Sequence, residues 1–128
     1  MNFTDLIKQT KNIYDVWRKK NTFCPALNCY VRISLKGWNH LVGNSKFKKR
    51  TFSDKYRRLK LIPYAEEIIT KSTTIQSIDV IKGKKYYVLQ AMIRIDIKGE
   101  EHMKKVKVVI IEDKKGEKIF YSVMTKKK

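Results

Sequence analysis

Residues 86–97, Tyr86-Tyr87-Val88-Leu89-Gln90-Ala91-Met92-Ile93-Arg94-Ile95-Asp96-Ile97, alternate an apolar set (Tyr87, Leu89, Ala91, Ile93, Ile95, Ile97) with a mixed one that includes Gln90, Met92 and Arg94. A period of two is the mark of a strand with one face in a core and the other turned outward. The same Val-, Ile-, Tyr- and Phe-rich composition fills 74–81, 105–112 and 118–125, with Lys82-Gly83-Lys84, Lys98-Gly99-Glu100 and Lys115-Gly116 in the gaps. Glycine in a short gap between strand-like runs reads as a hairpin turn. Four strands joined by three such turns predict an antiparallel meander.

Turn length then sets register. Val106, Val108 and Ile110 match the apolar set of 86–97, which leaves Lys105 and Lys107 with Gln90, Met92 and Arg94 on the second face. A two-residue loop at Lys115-Gly116 pairs Lys114 with Glu117, which puts Val109 opposite Ser122 and Lys107 opposite Met124. A one-residue change in that turn would reverse the faces. Upstream, Phe3, Leu6, Ile7, Thr10, Ile13, Tyr14 and Trp17 recur at helical spacing and end at a cluster of basic residues, 18–20. Pro25 and Asn28 mark a loop, and 29–33 read as a short strand or extended lead-in. Ser34 is placed to cap a short helix that stops at Gly43-Asn44-Ser45, and a basic loop follows over 46–50. The next helix meets Pro63, which predicts a kink or a helix pair. The expected fold is α+β: amino-terminal helices packed on a four-stranded antiparallel meander, one domain over 1–125 with a basic tail at 126–128. The helices are expected to cover the apolar face and leave the basic one open.

Thirty Lys and Arg against 12 Asp and Glu give a net charge of +18 in 128 residues. A polyanion is the first partner this suggests, an anionic membrane surface the second. Lysine supplies 24 of the 30 cations, a bias that an AT-rich genome can also produce, so the placement of charge matters more than its sum. Residues 1–20 lack a continuous apolar core of the signal-peptide kind, and no run reaches the roughly 20 apolar residues of a membrane span. A cytoplasmic protein without a membrane partner is expected. Cys24 and Cys29 have no second pair to complete a zinc site, so they read as reduced thiols, and no metal or other cofactor is expected.

The residues with chemistry to offer begin at His40. In Leu35-Lys36-Gly37-Trp38-Asn39-His40-Leu41-Val42 it follows Lys36 by one helical turn, so the two share a face, while Leu35, Trp38, Leu41 and Val42 gather opposite. An imidazole beside a cation, turned away from the apolar stripe, suits metal-free RNA cleavage: it shuttles protons near neutral pH next to a charge that attracts phosphate. An isolated histidine of this kind is commonly just a solvated surface group. Arg50, Arg57 and Arg58 can offer planar forks to phosphate, and Arg94, Lys105 and Lys107 form the basic strand face. Trp17 and Trp38 fall on apolar stripes and are expected in the core.

Three segments resemble the barnase/colicin-D/RelE group of small metal-independent ribonucleases over roughly residues 30–124. Residues 35–41 are similar to the helix that supplies a lysine and the catalytic histidine in colicin-D-like tRNA nucleases and phage-encoded relatives. Residues 57–65, Arg57-Arg58-Leu59-Lys60-Leu61-Ile62-Pro63-Tyr64-Ala65, resemble the arginine-bearing second helix. Residues 107–111 and 118–124 resemble the last hairpin, where a serine commonly sits in the terminal strand; Met124 stands where the family pattern often has an aromatic. The resemblance implies His40, Lys36 and Ser122 as the catalytic set, tRNA or mRNA as substrate, and a phage or toxin setting with an acidic antitoxin or immunity protein. It implies transesterification by the RNA's own 2′-hydroxyl, leaving a 2′,3′-cyclic phosphate. The alternative is a non-catalytic RNA- or DNA-binding module of the same fold. A protein-interaction domain with incidental lysines ranks third.

Overall fold

The first helix, α1 (Phe3–Arg18), buries Leu6, Thr10, Tyr14 and Trp17 of the face its spacing predicts, whereas Ile13 at the margin of that face is 46% exposed. A computed structural model describes residues 3–42, 52–97 and 99–125. After α1 come β1 (Thr22–Cys24), β2 (Cys29–Arg32), α2 (Leu35–Leu41), α3 (Phe52–Lys71), β3 (Ser77–Ile81), β4 (Lys84–Ile97), β5 (Glu100–Glu112) and β6 (Lys118–Thr125). The sheet has six strands in the order β1-β2-β6-β5-β4-β3, not four. The meander is present as β3 to β6. The extra pair is the β1–β2 hairpin, which joins β6 in parallel through Val31 opposite Lys118 and Arg32 opposite Ile119. Three residues of β1 carry no periodicity, and a parallel pairing between strands some 85 residues apart leaves no local trace, which is why neither shows in the sequence.

Other expectations are corrected as well. The strand begins earlier than 105: β5 starts at Glu100, so His102 lies in it opposite Ile95, with Glu100 3.6 Å from its imidazole. Of the two alternatives at Pro63 the helix pair is not formed: α3 continues through Pro63 as one helix of 20 residues. An interior proline costs about 3 kcal/mol. Leu59, Ile62, Ala65, Ile68 and Ile69 are all buried along this helix, and at about 1.5–3 kcal/mol for each large aliphatic side chain their burial outweighs that cost. Trp17 and Trp38 both lie in the core, in contact with Tyr14, and Trp17 also packs on Phe120. The His40 helix ends at Leu41 with Val42 as its C-cap; Gly43-Asn44-Ser45, expected to stop it, the loop 46–50 and the tail 126–128 lie outside the described residues.

The expected pairing of Val109 with Ser122 and Lys107 with Met124 is present, but by another route. The turn is longer than two residues: Glu112 pairs with Lys118, the Asp113 N–H donates to the Glu117 carbonyl, and the Asp113 carboxylate accepts from the backbone N–H groups of Lys115 and Glu117. Gly116, at φ 83°, supplies the left-handed residue such a turn needs. This shifts register by one. A β-bulge between Val109 and Ile110 leaves Tyr121 as the extra residue of β6 and shifts it back.

At this end of the sheet Lys118 Nζ lies 2.7 Å from Glu112 Oε1, and the Tyr87 hydroxyl donates to the same oxygen at 2.9 Å. The bond from Lys118, then that from Tyr87, holds the Glu112 carboxyl below its ordinary range. Glu112 raises Lys118 in return, and burial, followed by the bond to Glu112, raises the Tyr87 hydroxyl. A depressed carboxyl stabilises the fold above the ordinary carboxylate pKa of about 4.3, and this is lost as pH falls through the depressed folded value. The raised Lys118 and Tyr87 stabilise it below about pH 10, and this is lost as pH rises through their folded values. The contribution of this cluster to stability should therefore be level from about pH 5 to 9 and fall on both sides, and Glu112→Gln should shallow both limbs of the melting temperature in a pH series of thermal melts.

Candidate functional site

Because β2 pairs with β6 only as far as Ile119, no described strand pairs with β6 on that side from Phe120 onward, and α2 packs there instead. Gly37 permits the approach: a β-carbon at this position would lie 2.6 Å from the Phe120 carbonyl oxygen and 2.8 Å from Tyr14 Oη. Tyr14 Oη is itself held, donating to the Ser34 carbonyl at 2.6 Å, and burial raises its pKa so that it stays a donor. Ser34 occupies the N-cap position in extended conformation, but its hydroxyl is buried and makes no capping bond.

This seating carries His40 onto the sheet. Its ring stacks on Tyr121 with centroids 3.8 Å apart and planes 27° apart, and Tyr86 meets Tyr121 edge-on at 5.8 Å. The bulge thus places Tyr121 under the imidazole. One residue on, Ser122 is fully buried, and its Oγ accepts a hydrogen bond from Arg58, whose guanidinium also lies 3.5 Å from the Val123 carbonyl. Arg58 itself is buried on α3. His40 from α2 thus reaches Tyr121, and Arg58 from α3 reaches the next residue of β6, Ser122.

The expected positions fare as follows. His40 is not on a solvated face: it is 9% exposed, whereas Lys36, one turn earlier, is exposed. Leu35 is 47% exposed rather than on the apolar side. A seven-residue helix wedged at a sheet edge is buried on more than half its circumference, so a stripe counted on a helical wheel misjudges its boundary. Ser122 shares a face with Lys107, Lys105 and Arg94 by register but does not lie on an open surface. Arg58 joins the cluster while Arg57, the next residue round the helix, is exposed. Arg50 lies outside the described residues. Lys107 is half-buried next to the site, with Lys105 and then Arg94 following along the hairpin and Arg94 ending about 20 Å from it by strand rise. Arg94 is 3.7 Å from Glu101.

The second sheet face is closed in the middle, where Val88, Ile111 and Ile119 are buried, and open toward its two ends. The expectation of a wholly open basic face is corrected accordingly. Sequence reading missed Tyr121 and Tyr86. Their aromatic character was visible, but their meeting depends on the bulge. Among the described residues no group of three or more His, Cys, Asp or Glu side chains is placed to hold a metal ion. Cys24 and Cys29 are free thiols opposite each other across the β1–β2 hairpin, and burial raises the pKa of Cys24. No described helix is long and apolar enough to cross a membrane. Comparison with protein-family models, curated proteins and solved structures gives no match.

Proposed function

We propose that this protein is a metal-independent RNA endonuclease that cleaves by attack of a 2′-hydroxyl on the adjacent phosphate. The observation that carries this reading is that His40 packs on Tyr121 while Arg58 bonds to the neighbouring Ser122, in a chain of net charge +18. The 2′-oxygen bonds to phosphorus as the P–O5′ bond breaks, so the reaction needs a base to take the 2′-hydroxyl proton, an acid or water to give one to the departing 5′-oxygen, and a cation that stabilises the pentacovalent phosphorane. His40 fills the proton-transfer role, and Arg58, with its planar fork, supplies the cation. Ser122 serves as a positioning residue that holds the Arg58 guanidinium. Lys36, Lys107, Lys105 and Arg94 attract and align the phosphate backbone, with tRNA or mRNA as the substrate class and an acidic protein as the natural neutralising partner.

The deep burial of His40 and Ser122 favours a second reading, a nucleic-acid-binding module in which both residues only pack. Two measurements separate the readings. Either predicts RNA affinity that falls linearly on a log–log plot against salt, with a slope of about −0.7 per phosphate neutralised on a single strand. Salt-insensitive binding would remove both. Only the nuclease cuts RNA in EDTA.

A further inference from the structure

Phe23 and Tyr30 face each other across the β1–β2 hairpin with ring centroids 5.3 Å apart in an edge-to-face contact. Phe23 is 39% exposed and Tyr30 64%. Single exposed aromatics are ordinary on protein surfaces. Here two adjacent ones occupy the outer hairpin, and their face can be followed through the sheet. Tyr30 and Arg32 alternate with buried Val31, so both point to the side opposite the core. Arg32 lies opposite Ile119, Ile119 opposite Ile111, and Ile111 opposite Tyr86, which touches Tyr121. The aromatic pair is therefore on the face that carries His40 and Tyr121.

The extension of the parallel register places Tyr30 four residues along from Tyr121 and one strand over, a separation of about 14 Å. Arg32 lies between, its side chain mostly exposed and 3.0 Å from Glu117. On the far side of the candidate site lie Lys107, Lys105 and Arg94. The face thus carries an aromatic pair at one open end, then the closed stretch over Ile119 and Ile111 beside the candidate site, and cations at the other open end. Every nucleobase offers a π-face to an aromatic ring, so such a platform holds unpaired bases with little regard to sequence, while phosphates track the cations.

We propose that Phe23 and Tyr30 form a base-stacking platform that holds a single-stranded segment of the RNA a few nucleotides from the bond to be cut. The proposal rests on the ribonuclease reading for its choice of ligand, but its test does not require cleavage. The probe is a fluorescein-labelled 2′-O-methyl decauridylate, which has no free 2′-hydroxyl to attack with, and binding is followed by anisotropy. Tyr30→Ala and Phe23→Ala should each weaken binding roughly tenfold, whereas Tyr30→Phe should bind like wild type because the ring is kept. Thermal melts confirm that all variants fold, as expected for side chains this exposed. In parallel, cleavage of the dinucleotide UpU, too short to reach the platform, should be unchanged by Tyr30→Ala. Wild-type affinity in both alanine variants, or a wild type that does not bind the decamer, overturns the platform. If the alanine variants lose affinity but no form of the protein cuts RNA, the platform stands and the nuclease reading falls. If UpU and longer RNA are cut equally by wild type and Tyr30→Ala, the reverse holds.

Discussion

Gly37→Ala should lower the melting temperature by several degrees and abolish RNA cleavage in the fraction that remains folded. On an exposed helix the same change would stabilise by about 1 kcal/mol, since alanine is the better helix former. At this position the new methyl carbon meets a backbone carbonyl at 2.6 Å and a tyrosine hydroxyl at 2.8 Å that is locked to the Ser34 carbonyl. Neither is the loose end of a flexible side chain, so α2 must move away from β6. Overpacking of this kind costs about 1–3 kcal/mol, more than the propensity gain and enough to shift melting by several degrees in a domain of this size. Because α2 also carries His40, its displacement separates the imidazole from Tyr121. A melting temperature equal to or above that of wild type in differential scanning calorimetry would contradict this account of how α2 is seated.

The strands of the meander and the long amphipathic helix were legible because each depends on a period repeated over many residues. Residues 118–125 coincide with β6, and Phe3–Arg18 buries Leu6, Thr10, Tyr14 and Trp17 of the set the three-four spacing marks, with Ile13 left exposed. The opposition of Val109 and Ser122 is a different case. It follows from a two-residue turn, yet the actual turn is longer and the bulge at Tyr121 compensates, so two unseen shifts cancel. Nothing in Phe120-Tyr121-Ser122 announces a bulge, because the irregularity is set by pairing with β5 and by packing against α2. The candidate site was legible as residue types, with His40, Arg58 and Ser122 each recognisable. Their burial was not. It arises where β2 stops short and α2 takes over the edge of β6, a contact that only the assembled sheet creates.

The second large effect is on rate. His40→Gln should lower RNA cleavage by about 10² to 10⁴, the usual contribution of a positioned proton-transfer group, while RNA affinity changes by no more than a few-fold. Glutamine is the informative substitution because His40 is packed: His40→Ala also removes a ring stacked at 3.8 Å and should cost about 1–3 kcal/mol of stability, which confounds activity with folding. Glutamine keeps most of the volume and cannot titrate. Equal cleavage by His40→Gln and wild type, each folded by circular dichroism, would show that the imidazole serves only as a packing group.

The most direct test is the chemistry of the cut ends. Purified wild type is incubated with tRNA and with mRNA in EDTA, and the products are read by mass spectrometry, with folded His40→Gln alongside. The account predicts 2′,3′-cyclic phosphate termini from the wild type, undiminished by chelation of metal, and almost none from the variant. Intact RNA in every wild-type reaction, or 3′-hydroxyl ends that appear only with added divalent metal, would contradict it.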